Sequence, residues 1–161
     1  MNIRKVLSTA LVIIWMLTIF YFSHQQGTGS SSTSKNVSMI IVNILDIKNE
    51  MTEEQKEEIV ETIEPVIRKL AHYTLYMLGG ILIINSVNAY IKEDIKEDIK
   101  TIRYSSLIGV IYAVSDELHQ LFVNGRSGKI IDVVIDSIGI FTGIAMYLLM
   151  KKIIMNIVKE K

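Results

Sequence analysis

Apolar residues gather in long runs with short polar stretches between them. The first run, Val6 to Phe22, carries no charge and follows Arg4 and Lys5. It is longer than the apolar core of a usual signal peptide, and Ser23-His24-Gln25-Gln26 does not resemble a small-residue cleavage site, so it reads as an uncleaved transmembrane helix. Trp15, Phe20, Tyr21 and Phe22 suit placement toward a membrane interface. Three further runs are long enough to cross a bilayer, and the predicted spans are 6–22, 66–90, 104–122 and 130–150.

The connections differ in character. Gly27 to Ser34 is rich in Gly, Ser and Thr and reads as a flexible linker. Val37, Ile40, Ile41, Ile44 and Leu45 then recur at helical spacing, in an amphipathic element too short to span and expected on the membrane surface. Thr52-Glu53-Glu54-Gln55 is a capping box, in which Thr52 and Gln55 satisfy each other's backbone N–H groups. The helix it opens is expected to end near Glu64, with Pro65 in the first turn of the next one. Residues 92–99 repeat Lys-Glu-Asp-Ile and read as a charged helical connection, and residues 123–129 as a tight polar loop containing Gly125 and Gly128.

Composition agrees with a membrane protein. Half of the 161 residues are apolar, and Lys and Arg cluster between and beyond the runs. The length predicts one domain, residues 1–161. Without cysteine there is no disulfide, thiolate metal site or Cys nucleophile, and a net charge of zero gives no reason to expect nucleic acid. The expected fold is therefore all-α: a polytopic integral membrane four-helix bundle with an extracytoplasmic amphipathic helical segment between helices 1 and 2. Of the 17 basic residues, Arg4, Lys5, Lys92, Lys96, Lys100, Arg103, Lys151, Lys152, Lys159 and Lys161 fall on one side, which orients both termini toward the cytoplasm.

That orientation brings polar residues from every span to one depth near the outer leaflet. His24 and Gln25 end the first span, and Arg68, Lys69, His72 and Tyr76 follow one face of the second. Asp116, Glu117, His119 and Gln120 end the third, Arg126 lies in the loop, and Asp132 and Asp136 stand one turn apart on the fourth. Gly139 and Gly143 continue that last face and permit a close helix approach below the carboxylates. Ionisable groups at such depth are costly and default to a functional reading. Three readings stand. Arg68, Lys69 and Arg126 bind an anionic head group; His72 or His119 works beside Asp116 or Asp132 as an acid–base or metal centre; or the charges form a structural ion-pair network. The spacings HxxxY and DExHQ match no dedicated metal motif, so no metal or cofactor is assigned.

The blocks FSHQ at 22–25, RKLAHYTLYMLG at 68–79 and DELHQLFVNGRSGKIIDVVIDSIGIFTG at 116–143, in this order and spacing, resemble the VanZ family of small bacterial membrane proteins. By that resemblance Lys69, His72, Tyr76, Asp116, Glu117, Gln120, Arg126, Asp132 and Asp136 fall on motif positions, while Asn124 stands where the family often has Pro. The resemblance implies four transmembrane helices in the bacterial cell membrane and a tie to glycopeptide resistance of the teicoplanin type. Together with Arg68, these residues form the expected site for an anionic lipid or lipid-linked envelope precursor.

Overall fold

A computed structural model describes residues 2–24, 27–46, 50–91 and 95–159, and the side chains among these except at 27–31 and 95–97. The described residues form five helices: α1 (Ile3–His24), α2 (Gly27–Leu45), α3 (Glu53–Tyr90), α4 (Ile95–Gln120) and α5 (Ile130–Lys159). The fold is all-α, with no strand among these residues.

α3 is the spine. At about 1.5 Å per residue its 38 residues run about 57 Å, well beyond the roughly 30 Å of a hydrocarbon core. Its C-terminal part packs against α1, α4 and α5, and α2 packs against its N-terminal part. The contact with α5 is the most extensive, because small residues line it. A side chain at Gly143 would collide with the backbone of Met77, and a Cβ at Gly139 would lie 2.6 Å from the Tyr73 carbonyl. These glycines let the two backbones touch, as their spacing leads one to expect.

The bundle core is apolar and aromatic: Val12, Trp15, Ile19, Tyr76, Ile83, Ile84, Ala113, Ile140 and Ile144. Trp15 corrects the interfacial expectation. Its ring is buried edge-on against Tyr76, with centroids 5.7 Å apart, and its Nε1–H donates to the Leu75 carbonyl at 2.9 Å. A hydrogen bond to a carbonyl lets indole sit inside without an orphaned donor.

The outer surface is inverted relative to a water-soluble bundle. Large apolar side chains stand exposed along α1 (Leu7, Leu11, Ile14, Leu17), α4 (Tyr104, Leu107, Ile111, Val114, Leu118) and α5 (Ile131, Val134, Ile138, Phe141). α1, α3 and α5 are long and apolar enough to cross a membrane. Lys100 and Arg103 near the start of α4 and Asp116 and Glu117 near its end leave too short an uncharged stretch between them, which explains why composition alone does not place it with the other three.

Two boundary expectations need correction. Gly27–Ser34 is not a linker but the first turns of α2, which continues without a break to Leu45. Pro65 does not start a helix either. It lies inside α3, where it withholds one hydrogen bond from the Glu61 carbonyl while the turns on both sides continue. The Thr52 capping box is present at the start of this helix, with Gln55 N–H donating to Thr52 Oγ1 at 3.3 Å and Thr52 N–H donating to Gln55 Oε1 at 2.9 Å. The first three residues of the charged repeat lie outside the described residues, and the remainder opens α4.

α2 and the first part of α3 form an antiparallel helical hairpin, clasped near its turn by Lys56 and Asp46 at 3.3 Å and farther along by Lys35 and Glu61 at 3.9 Å. The expected apolar stripe of α2 is not its packed face: Val37, Ile40, Ile44 and Leu45 are exposed, while Ser38 and Val42 are buried. α2 thus lies along α3 through a narrow face of small side chains, rather than as a separate element.

Candidate functional site

Where α3, α4 and α5 meet beside the 121–129 loop, the bundle opens into a cavity of about 330 Å³. Each element delivers its polar groups through helical spacing. α3 supplies Arg68, Lys69 and His72, α4 supplies Glu117 and Gln120, and α5 supplies Asp132 and Asp136, while Arg126 and Lys129 come from the loop. The loop is compact. Leu121, Phe122 and Val123 close the end of α4 with backbone bonds to Leu118, His119 and Gln120, and Arg126 N–H donates to the Val123 carbonyl. Gly125 has φ 76°, a left-handed conformation that disfavours side chains, so this turn needs glycine there.

Cations and acids are layered. The side chains of Arg68 and Lys69 are 44% and 46% exposed, whereas Asp136 is 0% exposed and Asp116 3%. The basic groups therefore face the opening and the acids lie within. Lys69 Nζ is 3.7 Å from Asp132 Oδ1, Arg68 is 3.9 Å from Glu64, and Arg126 Nη2 donates to the Phe22 carbonyl at 3.1 Å, tying the end of α1 to the loop. Burial holds the Arg126 guanidinium below its usual pKa; the Asp116 and Glu117 carboxylates oppose that shift and Arg68 adds to it. Glu117 Oε2 accepts the Lys129 backbone N–H at 2.8 Å and so places a carboxylate beside the positive end of the α5 dipole.

Deeper in, His72 Nδ1 is 3.7 Å from Asp136 Oδ1. Tyr76 O–H and Gln120 Nε2–H both donate to the same oxygen of Asp116, Oδ2, at 3.1 and 3.2 Å. Gln120 Nε2 also lies 3.5 Å from Ser23 Oγ on α1. Asp116 Oδ1, Glu117 Oε1 and both oxygens of Asp136 are buried without a hydrogen-bond partner. Among the described residues, neither Asp116 nor Asp136 forms an ion pair with Lys or Arg.

Of the residues singled out in the sequence, Arg68, Lys69, His72, Glu117, Gln120, Arg126, Asp132 and Asp136 line the cavity, and Tyr76 and Asp116 adjoin it through the contacts above. His119 does not join them. Its ring stacks on Phe20 with centroids 4.6 Å apart, and its Nε2 is 3.4 Å from His24 Nδ1. At three residues from Asp116 it has rotated toward α1, so the expected pairing of His119 with that carboxylate is absent. The acid beside His72 is Asp136, with Asp132 engaged by Lys69. Gln25 lies outside the described residues. Sequence reading passed over Lys129 as a site residue, although its position just before α5 and three residues after Arg126 is where the loop returns to the cavity.

The polar end of the bundle thus combines an exposed basic mouth with buried acids and one histidine. No curated protein and no solved structure matches the chain. The VanZ/LLP1 family model matches residues 8–151, which contain every cavity residue named here, and the chain belongs to the VanZ/LLP1 family of envelope membrane proteins.

Proposed function

We propose that this cavity binds the anionic head group of an envelope lipid or lipid-linked precursor, and that the protein thereby alters access of teicoplanin-type glycopeptides to the outer surface. The observation that carries this reading is the mouth itself, where four basic side chains, Arg68, Lys69, Arg126 and Lys129, line a cavity in an apolar bundle. Arginine suits a phosphate through paired N–H donors and lysine as a point charge. Arg126 already donates to a carbonyl, and Arg68 and Lys69 stand 3.9 and 3.7 Å from their nearest acids, so none is committed to a short carboxylate bond.

In this reading α4 is the fourth crossing. Its exposed stripe from Tyr104 to Leu118 faces lipid, and its acids turn toward the cavity. Both termini are cytoplasmic, the cavity opens outward, and the α2–α3 hairpin is extracytoplasmic. The chain contains no cysteine, so single cysteines at Asn49 and Asn124 should react with an impermeant reagent in intact cells while one at Asp94 should not. The reverse pattern would place the cavity on the cytoplasmic side.

Head-group binding is tested with delipidated protein and native mass spectrometry. Phosphatidylglycerol should bind in preference to phosphatidylcholine, and the combined Arg68→Gln, Lys69→Gln and Arg126→Gln variant should lose that preference by about tenfold or more, since a charge-assisted hydrogen bond contributes about 1.5–3 kcal/mol. Equal binding of the two lipids, or an unchanged preference in the variant, would remove the reading's support. In cells, Lys69→Gln should shift teicoplanin susceptibility if the envelope role holds.

A further inference from the structure

The inner cluster lies among groups that the basic mouth does not explain. A head group held by Arg68 and Lys69 has no use for two buried acids behind it, and their charge opposes it. Yet Asp136 is fully buried, both of its oxygens lack a hydrogen bond, and Asp116 keeps one oxygen bare. A buried carboxylate normally has its lone pairs satisfied by donors or a metal, because leaving them unpaired is expensive.

We propose that His72, Asp116 and Asp136 form a binding site for one divalent metal ion. One ligand atom from each, an imidazole nitrogen and two carboxylate oxygens, lies within 4.8 Å of the others, and the His72–Asp136 pair is at 3.7 Å. Ligands about 2.1 Å from a common ion stand about 3–4 Å from one another, so small side-chain rotations complete the shell.

The surroundings are arranged for this. Tyr76 and Gln120 both donate to Asp116 Oδ2, which fixes the carboxylate and leaves Oδ1 free to ligate an ion. Outer hydrogen bonds of that kind orient metal ligands in known sites. The three ligands come from three helices, α3, α4 and α5, so an ion would cross-link the bundle where Gly139 has brought α3 and α5 together. A doubly charged cation offsets two carboxylates that no Lys or Arg among the described residues pairs with. Mixed nitrogen and oxygen donors suit Mn²⁺ or Zn²⁺. His72 and Asp136 line the cavity, so the ion's remaining positions would face whatever the cavity holds. The site stands on these side chains and does not depend on the head-group reading.

The test uses full-length protein in detergent, stripped with chelator and titrated with Mn²⁺ and separately with Zn²⁺. About one ion per chain should bind, and Asp136→Asn and Asp116→Asn should each weaken binding by about tenfold or more. Lys35→Gln, on the α2–α3 hairpin away from the cavity, should leave it unchanged. Bound Mn²⁺ should show nitrogen modulation in its electron-spin echo, and His72→Gln should remove that modulation. Variants are compared only where size-exclusion profiles match the wild type, and the near-isosteric Asn changes are chosen to keep the fold. Failure of both ions to bind at millimolar concentration would overturn the proposal. So would equal affinity in the Asp136→Asn protein, or bound Mn²⁺ without a nitrogen signal that depends on His72.

Discussion

Asp46 and Asp136 are both buried acids, at 5% and 0% exposure, but their surroundings differ. Asp46 ends the packed face of α2. It receives the Lys56 ammonium at 3.3 Å, and its Oδ1 accepts the Glu50 backbone N–H at 3.0 Å. Asp136, in the bundle, has one histidine at 3.7 Å and no hydrogen bond to either oxygen. The hairpin has spent its acid on holding two helices together. The bundle has left its acid open beside a cavity, next to glycines at which α3 and α5 already touch. An acid held by a lysine reads as architecture, and an acid with only a histidine at 3.7 Å beside a cavity as preparation for a ligand.

If that contrast is right, the bundle depends on packing where the hairpin depends on charge. Trp15→Ala should have the largest effect, destabilising the bundle by about 3–5 kcal/mol through the cavity it leaves among Tyr76, Tyr112 and Leu75. Limited proteolysis should then show the α2–α3 hairpin as protected as before. Loss of hairpin protection as well would mean that the two regions are not separable.

A smaller effect probes how Asp116 is held. Tyr76→Phe removes one of its two donors while leaving the ring in the core, and should cost about 1.5–3 kcal/mol in thermal unfolding. No measurable cost would mean that Gln120 alone holds the carboxylate.

The smallest effect is a pH dependence confined to the hairpin. Removal from water works against the Lys56 charge, but hydrogen bonds and charges from Asp46 and Glu53 outweigh it and raise the pKa above 10.5. A raised folded-state value means that the stabilisation is fully present below the unfolded value of 10.5 and is lost as pH rises through the folded one. Labelling of a cysteine at Val42, taken relative to the unfolded chain at each pH to cancel thiol ionisation, should therefore stay flat through neutral pH and rise only in strong alkali. A rise near neutrality would show that Lys56 does not clasp the hairpin.

Much of the site was legible from spacing. Arg68, His72 and Tyr76 recur every four residues, as do Asp132 and Asp136, and such spacing requires a shared face once the helix forms. Alternating spans predict the clusters at one end of the bundle, and the cavity residues meet there. What spacing could not reveal was rotation about each axis relative to its neighbours. His119 and Asp116 are only three residues apart, yet Asp116 turns to Tyr76 and His119 to Phe20. The choice between Asp132 and Asp136 as the partner of His72 depends on the register of α3 against α5, which the glycine contacts set. Gly, Ser and Pro weaken a helix locally, which hides from the sequence that α2 runs unbroken from Gly27 and α3 runs through Pro65.

The most direct test of the central claim, that the bundle's acids are held for a ligand and the hairpin's acid for the fold, compares Asp136→Asn with Asp46→Asn. Both replace a buried charge with a neutral side chain of the same size. In metal-free, delipidated protein, thermal unfolding should show Asp136→Asn unchanged or more stable, by up to about 1–3 kcal/mol, since a buried carboxyl group with no hydrogen bond and no Lys or Arg partner has been removed. Asp46→Asn should instead loosen the hairpin, read as faster proteolysis between residues 27 and 64, because Lys56 loses its partner. If Asp136→Asn destabilises the bundle as Asp46→Asn destabilises the hairpin, the cavity acids are part of the scaffold and the ligand account fails.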